Sequence, residues 1–353
     1  MRTPATLLAL LAAGSLAAGC CAPRRCASPC PSSSRAAPPV AAAVAVPRGP
    51  ALPAPGTVLD HRTGEPVAFD ALVTRLATVP VVYVGEQHDE AEHHRFQARV
   101  LEALAAQPGK IALGMEMFYR PFQEHLDAYV RGDIDEAAML EKTEWKARWG
   151  FGWEMYAPML RFCREKKIPV VALNAPKEIT RTVSRQGLDA LTEEQRASLP
   201  PLDTTDMAHR AFVREAFGAH GASMPAETFE RFYTAMVVWD ETMASSVAQW
   251  LEQAGEGARM VVVAGNGHVA DRFGIPARAA RRTKTPYLVL VARVLPGPGE
   301  TADDGLGRTD LTYGDYSAWF TASPKPPAPA KPPAKPAAPT APPKAEASGA
   351  PST

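Results

Sequence analysis

The chain has 353 residues, with 38 basic against 38 acidic side chains and 35 prolines. The charges balance, and no basic patch in the sequence calls for a nucleic-acid partner. Once proline-rich ends are set aside, what remains is of a size for one large domain, or one domain with an insertion.

The first segment, residues 1–19, reads as an export signal: basic Arg2, then an apolar run of small residues from Leu7 to Ala18. Leu16-Ala17-Ala18-Gly19-Cys20 closes it, with a cysteine directly after a glycine. That is the pattern of a bacterial lipoprotein signal, with Cys20 as the lipidated first residue of the mature chain. An ordinary cleaved signal is the alternative, and the run is too short to span a bilayer comfortably. The expected location is the cell envelope, facing the periplasm or the cell surface on a lipid anchor. Cys21, Cys26 and Cys30 follow closely, and only Cys163 lies further on. No CxxC pair recurs, so neither a zinc finger nor a disulfide framework is indicated. Export permits a bridge among Cys21, Cys26 and Cys30 without requiring one.

Residues 20–56 are rich in Pro, Ala and Ser and read as a disordered tether. Residues 323–353 form a Pro-Ala-Lys segment and read as a disordered tail. Residues 57–322 are the expected folded domain.

Inside it, Asp70–Thr78 reads as a short helix. Val81-Val82-Tyr83-Val84 is too short for a helix and rich in β-branched residues, so it reads as a strand buried on both faces. Gly85 then lets the backbone turn, and Glu86-Gln87-His88 leads into a helix over Asp89–Gln107. Phe96, Val100, Leu101 and Leu104 form its apolar stripe, with His93 and Gln97 on the same face and His94 expected to point away. Ile111 to Met115 is a second strand, ending at Glu116. Helices follow over Pro121–Val130 and Asp135–Lys142.

Trp145, Trp149, Phe151, Trp153 and Tyr156 then crowd together around Gly150 and Gly152. Such a cluster is either a packed aromatic corner or a surface for a flat ligand. Pro158 suits the first turn of the next helix, with Tyr156 just before it. Ile168 to Leu173 is a third strand, ending at Asn174, and Pro176 opens a further helix. Leu188–Leu202 reads as helix and turn, and Asp206–His220 as a helix carrying His209. Glu227–Ala254 is a long helix whose apolar stripe contains Asp240, a carboxylate that needs a partner there. Arg259 to Ala264 is a fourth strand, ending in Gly265-Asn266-Gly267-His268, and Tyr287–Val294 is a fifth. Tyr313, Tyr316, Trp319 and Phe320 cap the domain.

The predicted fold class is α/β, a mainly parallel sheet flanked by helices with a helical insertion. In a parallel sheet Glu86, His88, Glu116, Asn174 and His268 all lie on one edge, where open α/β sheets bind ligands. Paired carboxylates and imidazoles suit a divalent metal held by Glu86, His88, Glu116 and His268, and they equally suit acid–base chemistry. There is no HExxH helix and no GxSxG elbow.

Val84-Gly85-Glu86-Gln87-His88-Asp89 with His93-His94, Gly114-Met115-Glu116-Met117-Phe118, Leu173-Asn174-Ala175-Pro176, Trp239-Asp240-Glu241-Thr242-Met243-Ala244 and Gly265-Asn266-Gly267-His268 together resemble the ChaN-like haem-binding lipoproteins. That family is related to the Tiki/TraB group, which includes metal-dependent proteases. The resemblance implies haem (iron protoporphyrin) as cofactor, a role in iron acquisition, tyrosine ligation of the iron and a cofacial haem pair between two subunits of a homodimer. An outer-membrane haem receptor is the implied donor or acceptor. Tyr156 is the favoured ligand, followed by Tyr119 and Tyr233, with His209 a second residue reaching haem and Arg161 and Arg164 facing the propionates. On this reading the chain is a binding protein rather than an enzyme. The alternative is a metal-dependent hydrolase of the Tiki/TraB type acting through the strand-end residues.

Overall fold

The computed structural model describes residues 52–216, 224–297 and 314–324. The signal segment with Cys20, almost all of the 20–56 tether, His220, Tyr313 and the tail beyond residue 324 lie outside the described residues. Among those described, no helix is long and apolar enough to cross a membrane.

The fold is α/β, as the strand and helix patterns predict. Its eight-stranded sheet comprises β1 (Val58–Asp60), β2 (Glu65–Pro66), β3 (Val81–Glu86), β4 (Ile111–Tyr119), β5 (Val170–Asn174), β6 (Arg259–Gly265), β7 (Tyr287–Val294) and β8 (Tyr316–Phe320). Their order across the sheet is β2-β1-β8-β7-β3-β6-β4-β5. From β8 to β5 every pairing is parallel, while β1 pairs antiparallel with β2 and β8. The C-terminal ends of β3, β4, β5 and β6 therefore share one edge.

Both faces of the sheet are covered, which is why its strands read as continuous apolar runs. Val82 and Val84 of β3 pack on one face with Phe96, Val100, Leu101 and Leu104 of α2 (Ala91–Ala105) and with Met159 and Leu160 of a later helix, Trp153–Lys166. Tyr83, one residue out of phase, packs on the other face with Met243 and Val247 of a long helix (Ala226–Ala254) and with Ile275 and Ala279 of the helix Ile275–Thr283. The two-residue period of a strand divides one short run between two cores.

Between β4 and β5 lie α3 (Gln123–Arg131), α4 (Glu136–Lys142), α5 (Trp145–Arg148) and α6 (Trp153–Lys166), following α1 (Phe69–Leu76) and α2. Between β5 and β6 lie α7 (Lys177–Gln186), α8 (Glu193–Ala197), α9 (Met207–Ala216) and α10 (Ala226–Ala254). After β6 come a single turn, α11 (Asn266–Val269), and α12 (Ile275–Thr283).

Three expectations change. The second strand runs four residues beyond Met115, so Glu116 lies within β4 instead of after it. The helix α6 begins at Trp153, not at Pro158, so Pro158 and Tyr156 both lie inside it. Residues 316–320 form a strand rather than a cap, and this β8 fills the place between β1 and β7. After β8 the chain does not detach at Ser323. The Ser323 hydroxyl accepts from the amide of Ala91 at the start of α2, and its own amide donates to Glu90.

Candidate functional site

The functional edge begins at Glu86, the last residue of β3 and buried. Its Oε1 accepts from His88 Nδ1 at 2.8 Å and from the Tyr156 hydroxyl at 2.9 Å. Its Oε2 accepts from Gln97 Nε2 at 2.8 Å and faces His94 Nδ1 at 3.2 Å. His94 Nε2 lies 3.2 Å from the His88 carbonyl, an acceptor, so that nitrogen carries a proton. Burial alone would raise the Glu86 pKa, but His94 and His88 outweigh it and hold the carboxyl well below the usual carboxylate range. Burial opposes charge on His88 and His94 in turn, and Glu86 raises both, with Glu116 also acting on His88.

His94 thus points into this network, not away from it. The reason is α2, whose N-terminus is buried on both sides. His93, on the face against β8, is fully buried, accepts from the Gln87 amide at 3.0 Å and packs on Phe320. Burial pushes its pKa down to about 4.

A second network is built on β4 and β6. Met115 pairs with Ala172 of β5 and Tyr119 with Asn174, so β4 bulges between them and carries Glu116 in the bulge. Such irregularities re-aim a side chain. Asn174 fastens the bulge by donating to the Glu116 carbonyl at 2.9 Å. Glu116 Oε2 accepts from the Gly265 amide at 2.7 Å, and Oε1 lies 3.4 Å from His268 Nε2. His268 Nδ1 contacts Asp240 Oδ1 at 2.7 Å. Burial disfavours charge on His268, but Glu116 and Asp240 raise its pKa well above the usual imidazole value.

The two networks meet at Gly265. A β-carbon there would stand 2.9 Å from His88 Cε1 and 3.6 Å from Glu116 Oε2, so the absence of a side chain lets the His88 ring approach β6. Glu86, His88, Glu116 and His268 therefore share one edge, as their strand positions predict. They are arranged as two histidine–carboxylate couples, however. Among the described residues no group of three or more His, Cys, Asp or Glu side chains is placed to hold a metal ion.

His88 and His268 are the members of these couples that solvent reaches, with side chains 29% and 12% exposed. The His88 ring packs edge-on against Trp149 and tilted against Phe151, one of the few exposed large apolar residues. Its Nε2 has no hydrogen-bond partner among the described residues. The Trp149 and Phe151 rings thus border the solvent-reached side of His88.

Tyr156 does not fit the role expected of it. It is fully buried, its hydroxyl donates to Glu86, and burial together with that carboxylate raises its pKa, which opposes a tyrosinate. Tyr119 and Tyr233 turn their hydroxyls to backbone carbonyls, of Arg148 and Asp206. Burial pushes Tyr119 up to about 12. His209 is also fully buried, behind Asp240, and does not reach the edge. Arg161 pairs with Glu136 and Arg164 stacks on Tyr129, so neither faces the edge. Trp145 and Trp153 are packing residues, donating to the Phe151 carbonyl and to Glu136.

Two cavities of about 710 and 730 Å³ lie elsewhere. Their linings include Pro80 before β3 and Ile111 at the start of β4, at the opposite edge of the sheet.

The fold and this edge define a class: an α/β protein whose parallel strands end in paired histidines and carboxylates. The family "Haem-binding uptake, Tiki superfamily, ChaN" matches residues 72–279, and the chain belongs to it. A solved structure titled "Cofacial heme binding to ChaN of Campylobacter jejuni" is similar over 74% of this chain and 95% of that one, with a TM-score of 0.56 and 18% identity. A curated relative, the protein RETICULATA-RELATED 5, chloroplastic, of Arabidopsis thaliana, is 25% identical over 252 residues, 65% of this chain. The chain spans about a third of that relative's length, the match covering 34% of it.

Proposed function

We propose that the chain binds haem at the His88–Trp149–Phe151 rim, as an envelope lipoprotein anchored through Cys20 and serving iron acquisition. The observation that carries this reading is His88. Its Nδ1 is fixed by a buried carboxylate, its Nε2 is unpartnered among the described residues, and an exposed aromatic ring lies beside it. A carboxylate behind an imidazole orients it and raises its basicity as a ligand. Membership in a haem-binding uptake family supports the cofactor. Bound haem would supply a ferric iron that takes an axial nitrogen. His88 would offer that nitrogen, Glu86 would hold the ring, and Trp149 and Phe151 would cover porphyrin surface.

A second copy of the chain would close over the exposed rim, giving a homodimer with two haems face to face, and an outer-membrane receptor would exchange haem with it. Haemin titration of the full chain, followed at the Soret band and by size-exclusion chromatography, tests the reading. A saturable band with a haem-dependent shift to dimer is expected; no saturable band refutes haem binding.

A second reading is favoured by the pairing of His88 with Glu86 and of His268 with Asp240 about the shared Glu116. Two oriented imidazoles beside one carboxylate are equipped to pass protons in a hydrolysis. Turnover of ester or peptide substrates that is lost in both His88→Ala and His268→Ala would support it.

A further inference from the structure

Behind His268 lies a run of buried polar groups that haem binding does not require. Asp240 Oδ2 is 3.4 Å from His209 Nε2, and His209 Nδ1 is 3.0 Å from Arg278 Nη2. Asp240, His209 and Arg278 are all fully buried. A guanidinium has only donors. His209 Nδ1 must therefore accept from Arg278, and the ring's hydrogen must sit on Nε2, aimed at Asp240. Asp240 Oδ2 thus faces His209 Nε2 at 3.4 Å without a formed hydrogen bond, while its Oδ1 takes His268 Nδ1 at 2.7 Å. A carboxylate only accepts, so the Oδ1 contact places a hydrogen on His268 Nδ1 and turns Nε2 towards Glu116 and the exposed edge. The His209 N–H beside Oδ2 attracts the carboxylate electrostatically and holds it in place.

Arg278 is itself aimed by the neighbouring acid on α10. Glu241, buried beside Asp240 in sequence, pairs with Arg278 and lies 3.2 Å from Arg281 Nη2. Arg278 also donates to the Asp203 carbonyl at 3.1 Å. Successive residues of one helix thus divide the work: Glu241 fixes the guanidinium, and Asp240 holds His268 with His209 beside its other oxygen.

We propose that Arg278 and His209 are positioning residues that set His268 in a single protonation geometry, with Nδ1–H held by Asp240 and Nε2 presented at the ligand edge. Neither residue touches a ligand; each acts through the next. The inference concerns the same edge as the haem reading, but it is tested on the protein without haem, so a failure of haem binding leaves it standing.

The test is the ring-nitrogen spectrum of the ¹⁵N-labelled full chain at neutral pH, for the parent, Arg278→Met, Arg278→Lys and His209→Gln. His209→Gln identifies the His209 signals by their loss. It also keeps an acceptor for Arg278 and a donor for Asp240, so the His268 pattern should stay as in the parent. In the parent, His209 should show a hydrogen on Nε2 alone and His268 a hydrogen on Nδ1. Arg278→Met should collapse the His209 pattern towards a mixture of tautomers and move the His268 signals, while Arg278→Lys preserves more of both. Should Arg278→Met fail to fold, the parent spectrum and His209→Leu, which withdraws the donor from Asp240 and should move His268, decide the matter. A parent His209 protonated on Nδ1 overturns the proposal. So does a folded Arg278→Met, or a folded His209→Leu, whose His268 signals match the parent.

Discussion

Replacing Glu86 by glutamine tests the densest part of the network. The carboxylate faces four donors: His88 at 2.8 Å, Tyr156 at 2.9 Å, Gln97 at 2.8 Å and His94 at 3.2 Å. An amide keeps one oxygen and puts an NH₂ where the other stood, so in either orientation two of these donors confront a donor. Hydrogen bonds to a charged group are each worth about 1.5–3 kcal/mol. His94, paired with Glu86 inside the protein, also loses its counter-charge, and breaking one side of a buried pair costs about 3–5 kcal/mol. The two estimates describe the same contacts and are not summed. Glu86→Gln should therefore lower unfolding free energy by about 3–5 kcal/mol, a large part of the roughly 5–15 kcal/mol that domains possess. Urea unfolding followed by circular dichroism and tryptophan fluorescence measures it. A loss below about 1 kcal/mol, the value of an ordinary neutral hydrogen bond, would refute the account of Glu86 as an ionised hub.

Gly265→Ala should push His88 off its carboxylate, because the new methyl would lie 2.9 Å from the ring where carbon contacts prefer about 3.5–4.0 Å. A stability loss of about 1–3 kcal/mol is expected from thermal melts, together with weakened haem binding, and unchanged values of both would contradict the placement of the ring. Cys20→Ala should release the chain from membranes on fractionation, and a variant that still sediments would speak against the lipid anchor. His93, pushed down to about 4, stays neutral in the folded state while the unfolded chain protonates. Its contribution is therefore present above pH about 6.5 and lost as pH falls towards 4, amounting to about 3 kcal/mol. His93→Gln should flatten the stability profile in that window, and an equally steep fall in the variant would assign the slope elsewhere.

The sequence carried much of the fold because β3, β4, β6 and β7 are buried on both faces, and continuous β-branched runs announce that. The shared edge of Glu86, His88, Glu116 and His268 followed from parallel strands alone. What could not be read were contacts made across long separations. The burial of His93 depends on Phe320 of β8, a short strand at the far end of the domain. His94 faces Glu86 because both sides of α2 are covered there, which a single apolar stripe does not disclose. Tyr156 looked available because its helix was expected to start at Pro158; starting at Trp153 it turns the hydroxyl inward to Glu86. Arg278 left a signal that went unused. It is an arginine between Ile275 and Ala279, on the buried side of a short helix, and a charge placed there needs a partner such as Glu241.

The central claim is that His88, and not Tyr156, is the group the edge offers to haem. Haemin titration of the parent, His88→Ala and Tyr156→Phe, each first shown to be folded by circular dichroism, measures it most directly. The account predicts a saturable Soret band in the parent and in Tyr156→Phe, and its loss or a marked shift in His88→Ala. A band that survives unchanged in His88→Ala but disappears in Tyr156→Phe would contradict it.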